Sequence, residues 1–118
     1  MGIKVYLPKT EGHCMTFHRY TLETPLYTNS FGIQEPNNDV TDTSLIDVMV
    51  VPMLAYNNQG YRLGYGGGFY DRILKNYKGL ILGLAYDFSL SQEIDTEKHD
   101  VPCHRIITNR GVKVYYEI

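Results

Sequence analysis

Ile46-Asp47-Val48-Met49-Val50-Val51-Pro52 decides the fold class. The run is almost continuously apolar, rich in β-branched residues and closed by proline. That is the pattern of a strand buried on both faces of a parallel sheet. Residues 54–63 follow as a loop with the turn Asn57-Asn58-Gln59-Gly60 at its tip. Phe69, Ile73 and Tyr77 then recur at helical spacing, with Tyr70 and Leu74 beside them, which predicts a helix over 69–77. Asp71 stands in its first turn, Lys75 and Lys78 near its end, and Gly79 closes it. Residues 80–86 make a second buried strand. Strand, helix, strand is the repeating unit of an α/β sheet. Beyond it, Ile106-Ile107-Thr108 and residues 112–118 flank Asn109-Arg110-Gly111, which predicts a terminal hairpin.

Upstream the signals are weaker. Residues 3–7, ending at Pro8, read as a short strand, and 9–20 as a loop followed by another short strand carrying Met15, Phe17 and Tyr20. The stretch 23–38 holds Pro25 and Pro36 and little periodicity, so it reads as irregular surface chain. Thr43 or Ser44 fits the cap of a short turn. Residues 91–100 are polar, with room for a turn of helix.

The chain has 118 residues, one domain's worth, and the whole of 1–118 is read as a single domain. Eleven Lys and Arg against thirteen Asp and Glu give a net charge of −2, which argues against a non-specific nucleic-acid binder. Cys14 and Cys103 are far apart and form no CxxC pair, so a reducing, cytoplasmic setting is the natural reading. No secretory signal is visible, and no stretch approaches the roughly 18 apolar residues of a membrane span.

Chemistry concentrates in Arg62-Leu63-Gly64-Tyr65-Gly66-Gly67-Gly68-Phe69-Tyr70-Asp71-Arg72. Four glycines in five positions let the backbone approach a ligand and turn its N–H groups inward. Lying between a buried strand and the start of a helix, the loop is well placed to hold phosphate. Arg62 and Arg72 could clamp phosphate oxygens, and Asp71 could hold a divalent cation that bridges them. Neither GxxxxGK[ST] nor GxGxxG is present. The same residues also fit a plain glycine turn flanked by surface arginine pairs.

The segment resembles the signature of the 5-formyltetrahydrofolate cyclo-ligase family, also called methenyltetrahydrofolate synthetases. Val5-Tyr6-Leu7-Pro8, Met15-Thr16-Phe17, Phe31-Gly32-Ile33-Gln34-Glu35-Pro36, residues 47–52 with Ala55, Leu82-Gly83-Leu84-Ala85, His99-Asp100 and Ile107-Thr108 fall in the family's order. The resemblance implies a three-layer, Rossmann-like α/β sandwich with a mostly parallel sheet, CoA-transferase-like and truncated at its N-terminus. It implies conversion of 5-formyltetrahydrofolate, with or without a polyglutamate tail, to 5,10-methenyltetrahydrofolate at the expense of ATP, with Mg²⁺ as cofactor. The γ-phosphoryl group would pass to the formyl oxygen, N10 would close the ring, and phosphate would leave. Carried over, Arg62, Leu63, Gly64, Tyr65, Gly66, Gly67, Gly68, Phe69 and Tyr70 would cradle ATP. Tyr65, Gly66, Gly67, Gly68 and Phe69 would also border the folate, and Asp71 and Asp100 would bind the metal. Arg62, Tyr70 and Arg72 are the expected catalytic groups.

The resemblance also implies an N-terminal segment, with helices and a first strand, for which this chain has no counterpart. Its lack should leave apolar sheet surface exposed and favour self-association or a partner chain. A non-catalytic binder, or one subunit of a split enzyme, therefore stays open beside the enzyme.

Smaller features have plainer alternatives. Met15, Phe17 and Tyr20 could line a pterin pocket but suit ordinary core packing. Tyr56 and Tyr65 are better pocket candidates because glycines flank them. Glu35 could touch folate, although an exposed loop carboxylate is the safer reading. In His99-Asp100-Val101-Pro102-Cys103-His104 the spacing is unlike that of zinc sites. Both cysteines read as structural.

Overall fold

The computed structural model describes residues 2–64, 68–92 and 101–116. The chain divides into two compact units, Met1–Leu45 and Ile46–Ile118.

The first unit is built on a hairpin. Strands β1 (Val5–Glu11) and β2 (Cys14–Tyr20) pair antiparallel from Val5↔Tyr20 to Glu11↔Cys14. Gly12, at φ 61°, makes the turn. The loop expected to open the stretch 9–20 is therefore largely strand. Pro8 does not stop β1, because β1 is an edge strand, where a missing N–H costs nothing. Strands β3 (Leu26–Thr28) and β4 (Gln34–Pro36) form a second, two-stranded sheet in the stretch expected to be irregular. Strand β5 (Val40–Thr41) pairs with the free edge of β2.

Phe17, His18, Glu35 and Pro36 are buried in this unit. The Nδ1–H of His18 donates to the Asn38 carbonyl at 2.8 Å, and its Nε2 shares a 2.7 Å bond with the Thr16 hydroxyl. Glu35 is not the exposed loop carboxylate expected of it. It sits on β4, 7% exposed, and accepts from the Thr10 amide at 2.9 Å and the Thr10 hydroxyl at 3.2 Å. Those two donors are what allow a carboxylate to be buried there. In the polar stretch after β5, Asp42 accepts from the Ser44 amide at 2.9 Å and holds a short turn over Thr43–Leu45.

The second unit carries the α/β sheet. Strands β6 (Val48–Pro52), β9 (Leu80–Leu84) and β10 (Arg105–Thr108) run parallel, and β11 (Gly111–Val114) returns antiparallel on β10. The order across the sheet is β11-β10-β9-β6. The loop expected after β6 contains a small hairpin of β7 (Ala55–Tyr56) and β8 (Arg62–Leu63). Its turn is closed by Asn57, whose Oδ1 accepts from the amides of Gln59 and Tyr61.

Helix α1 covers only Phe69–Leu74, three residues short of the expected 69–77. The tyrosine at its expected end is used elsewhere: Tyr77 Oη donates to the Ile46 carbonyl at 2.7 Å. The chain then runs close against Asp47, whose carbonyl would lie 2.6 Å from a Cβ on Gly79.

The two faces of this sheet differ sharply. Met49, Val51, Ile81 and Ile106 point inward and are at most 3% exposed, with Leu74, Met53, Tyr56 and Cys103 completing the core. Gly83 is required there, since a Cβ would approach the Met53 methyl to 2.5 Å and the Cys103 sulfur to 3.1 Å. On the outer face Val48, Val50, Leu84, Ile107, Val112 and Val114 are all exposed. Among the described residues, then, the sheet has one covered face where three layers imply two. The exposed apolar sheet surface expected from the sequence is present.

Candidate functional site

Arg62 is the organising side chain. It leaves β8, and instead of standing at the surface it turns inward, with its side chain only 4% exposed. Nη1 donates to the Val101 carbonyl at 2.5 Å, and Nη2 donates to Asp71 Oδ1 at 2.5 Å. One buried arginine thus ties β8, the first turn of α1 and the chain entering β10 into one frame. A buried charge is tolerable only when paired, and Asp71, 31% exposed on its side chain, supplies the pairing charge.

The glycines before α1 bring this frame to the surface. Gly64 meets nothing within 4 Å of where a Cβ would stand. Gly68 caps α1 in the left-handed region at φ 66°, without a side-chain cap. Its carbonyl accepts from the Arg72 amide at 3.2 Å. The Arg72 side chain folds back, with its guanidinium 5.2 Å from the Phe69 ring centre and Nη1 3.1 Å from the Cβ position of Gly68. Gly68, Asp71, Arg72 and Lys75 line an open cavity of about 250 Å³.

With six residues, α1 has a small dipole, and the positive charge beside the cavity comes mainly from the side chains of Arg72 and Lys75. Lys75 escaped the sequence reading, where it served only as a helix-end charge. Its spacing of four from Asp71 was the available signal.

Of the other expected site residues, Leu63 is exposed and Phe69 and Tyr70 are half-buried. Burial pushes the Tyr70 hydroxyl above its ordinary pKa, and the Arg62 charge opposes the shift. Tyr65, Gly66, Gly67 and Asp100 lie outside the described residues.

Tyr56 is not a pocket wall. It is 0% exposed, and its hydroxyl donates to the Asp87 carbonyl at 3.2 Å and accepts from Lys113 at 3.0 Å. Its flanking glycine, Gly60, makes a turn at φ 85° packed on Cys103 and Tyr115, and leaves no opening. Met15 belongs to β2 of the first unit, paired with Thr10.

Burial pushes the Cys103 thiol above its ordinary pKa, with Arg62 opposing, while Cys14 is exposed, and both are free. The His104 ring faces the backbone, its Nδ1 accepting from the Ile81 amide at 2.9 Å. No cluster of three metal-binding side chains occurs among the described residues. Chemically, the cavity offers two cations, one carboxylate and glycine backbone, a set suited to a polyphosphate with a bridging divalent cation.

Comparison with known proteins identifies relatives over nearly the whole chain. The model of the 5-formyltetrahydrofolate cyclo-ligase family matches residues 1–109. The chain is 38% identical over 112 residues to the 5-formyltetrahydrofolate cyclo-ligase of Haemophilus influenzae, covering 87% of this chain and 60% of that one. It is 37% identical over 116 residues to that of Escherichia coli K12, covering 91% and 64%. The NMR structure of Aquifex aeolicus 5,10-methenyltetrahydrofolate synthetase superposes with a TM-score of 0.81 at 34% identity, covering 98% of this chain and 60% of that one. The chain thus spans about 60% of the length of these relatives. With the match running through the Arg62–Arg72 segment and both units, this chain belongs to the 5-formyltetrahydrofolate cyclo-ligase family.

Proposed function

We propose that the chain binds ATP and 5-formyltetrahydrofolate and takes part in the ATP-dependent ring closure that yields 5,10-methenyltetrahydrofolate, ADP and phosphate. The observation that carries this reading is the cavity of Gly68, Asp71, Arg72 and Lys75, framed by the Arg62–Asp71 pair, inside a family match over residues 1–109. Phosphoryl transfer to the formyl oxygen, followed by N10 attack, calls for positioning and charge neutralisation more than for a protein nucleophile. Arg72 and Lys75 would hold phosphate oxygens, and Arg62 would hold Asp71 in place. Tyr70, whose hydroxyl burial holds protonated to still higher pH, would donate a hydrogen bond.

Mg²⁺ suits the donor set. It commonly takes one or two carboxylates and completes its shell with phosphate oxygens and water. Asp71 is one such carboxylate, and Asp100 is the proposed second. When bound, the ion would offset charge on the transferring phosphoryl group. The folate, with or without a polyglutamate tail, would lie along the 65–69 backbone. Two free cysteines and the reaction class favour the cytoplasm. Among the described residues no helix is long and apolar enough to cross a membrane.

One assay tests the reading: the absorbance of the methenyl product on mixing the chain with 5-formyltetrahydrofolate, ATP and Mg²⁺. Turnover that Asp71→Asn abolishes, while ATP still stabilises the variant, supports it. A chain that gains no thermal stability from ATP and Mg²⁺ refutes it.

The bare outer face of the sheet favours a second reading in one respect. Val48, Val50, Leu84 and Ile107 need cover, so the chain would act as one subunit beside a partner chain or a second copy. Val50→Lys should then reduce association, seen by sedimentation, and lower turnover with it.

A further inference from the structure

Tyr86 and Phe88 form an exposed stacked pair that nothing above uses. Their ring centres are 5.2 Å apart, their planes 14° from parallel, and they are 64% and 81% exposed. They follow directly on β9, beyond its carboxyl end. Because β6 and β9 run parallel, the chain leaving β6 for the glycine-rich segment departs from the same edge of the sheet. Ligands of open parallel sheets sit outside that edge.

Hydrogen bonds join the two segments. Ser91 N–H donates to the Tyr56 carbonyl at 2.7 Å, Leu90 bridges Tyr56, and Tyr56 pairs with Arg62 in the β7–β8 hairpin. The ring pair is therefore one short strand removed from β8, which leads straight into Gly64.

The segment between the rings is held firmly. Asp87 N–H donates to Asn109 Oδ1 at 2.8 Å. The Asp87 carboxylate faces Lys113 at 3.3 Å and Arg110 at 3.5 Å, and its carbonyl accepts from Tyr56. The nearby charges are thus engaged with Asp87, and the alternation along 86–88 sends the rings outward while Asp87 is more enclosed. Two large aromatic faces fixed in advance and left in water are arranged as a stacking platform is, since their ordering cost is met before anything binds.

We propose that Tyr86 and Phe88 stack against the planar base of the nucleotide whose phosphates the Gly68–Lys75 cavity holds. The inference rests on the phosphate reading above and extends it to the base. Stacking is indifferent to base identity, so ATP and GTP should both use the platform.

The test measures calorimetric affinities of the chain for ATP, for inorganic tripolyphosphate and for 5-formyltetrahydrofolate, each with Mg²⁺. Tyr86→Leu and Phe88→Leu keep apolar bulk but lose the flat face, and Tyr86→Phe keeps it. The leucine variants should bind ATP about 5- to 150-fold more weakly, the fold-change of one lost base–aromatic stack. Tripolyphosphate affinity should not move, and Tyr86→Phe should match the unaltered chain.

Equal ATP affinity in the leucine variants overturns the inference, as does a loss confined to 5-formyltetrahydrofolate. So does a change confined to self-association, which would make the rings part of the bare sheet face. An unaltered chain that binds neither ATP nor tripolyphosphate defeats the phosphate reading itself, a different result from the preceding three.

Discussion

Removing the carboxylate of Asp71 should destabilise the fold as well as disarm the site. Arg62 is 4% exposed on its side chain, and Asp71 is its charge partner, at 2.5 Å. Breaking a fully buried pair from one side costs about 3–5 kcal/mol, because the other charge is stranded. Here Asp71 is about one-third exposed, so water partly screens the pair, and the guanidinium keeps the Val101 carbonyl. Asp71→Ala should therefore cost about 2 kcal/mol. In a unit of this size that is a fall in Tm of about 10 °C. Asp71→Asn keeps an acceptor oxygen and should cost about half as much.

Arg62→Met should lose less than the full burden, since Asp71 can then turn to water. Urea unfolding of the two single variants and of Arg62→Met with Asp71→Ala gives the coupling directly. A coupling of about 1–2 kcal/mol is expected. Additive single costs, or an Asp71→Ala chain within about 0.5 kcal/mol of the original, would refute the claim that this pair frames the site. The result bears on function as well. Any loss of turnover in Asp71→Asn is interpretable as lost metal binding only at a temperature where that variant remains folded.

Three further outcomes follow from single residues. Gly64→Ala meets open space and should leave the Tm unchanged while weakening MgATP binding, whereas Gly60→Ala, at φ 85° and 2.9 Å from the Cys103 carbonyl, should cost roughly 2 kcal/mol or more. Thermal melts with and without MgATP separate the two, and a destabilised Gly64→Ala would contradict the open space. Thiol titration at pH 8 should find one fast cysteine, Cys14, and one slow one, because burial pushes the Cys103 thiol up and keeps the thiolate scarce; two fast thiols in the folded chain would refute this. Burial raises the hydroxyl pKa values of Tyr70, Tyr77 and Tyr115 above 10.0 in the folded chain. The unfolded chain then releases those protons first, so stability falls as pH climbs past about 10. A late fraction of tyrosinate absorbance should coincide with loss of circular dichroism, and complete ionisation of a still-folded chain would count against the burial.

The parallel sheet was legible because β6 and β9 are coded by unbroken apolar runs, Val48-Met49-Val50-Val51 and Leu80-Ile81-Leu82. Asn109-Arg110-Gly111 likewise announced the β10–β11 turn, seen as the pairing Thr108↔Gly111. The β1–β2 hairpin was not legible. Pro8-Lys9-Thr10-Glu11 has neither the alternation nor the propensity of a strand, and only its pairing with β2 makes it one. The site was half legible. Glycine density pointed to the segment the proposed site uses, but nothing local says that Arg62 turns inward, because Val101, whose carbonyl receives it, lies 39 residues away. Tyr56 failed for the converse reason. Glycines nearby suggested an opening, and tertiary packing closed it.

The outer face of the sheet carries the most consequential mismatch between code and structure. An antiparallel sheet with a solvated side alternates apolar with polar residues. The outward positions of β6 and β9 are instead Val48, Val50 and Pro52, then Leu80, Leu82 and Leu84, with no polar residue among them. That sequence is written for cover on both sides, yet Val48, Val50 and Leu84 are each about half exposed. Spanning about 60% of its relatives' length, the chain displays a surface whose composition already specifies another layer. A single buried-type valine then becomes diagnostic. If Val50→Lys raises solubility without lowering the urea midpoint, the face is free in the isolated chain. If the midpoint falls, the face is already covered, and in solution the covering element is a second copy.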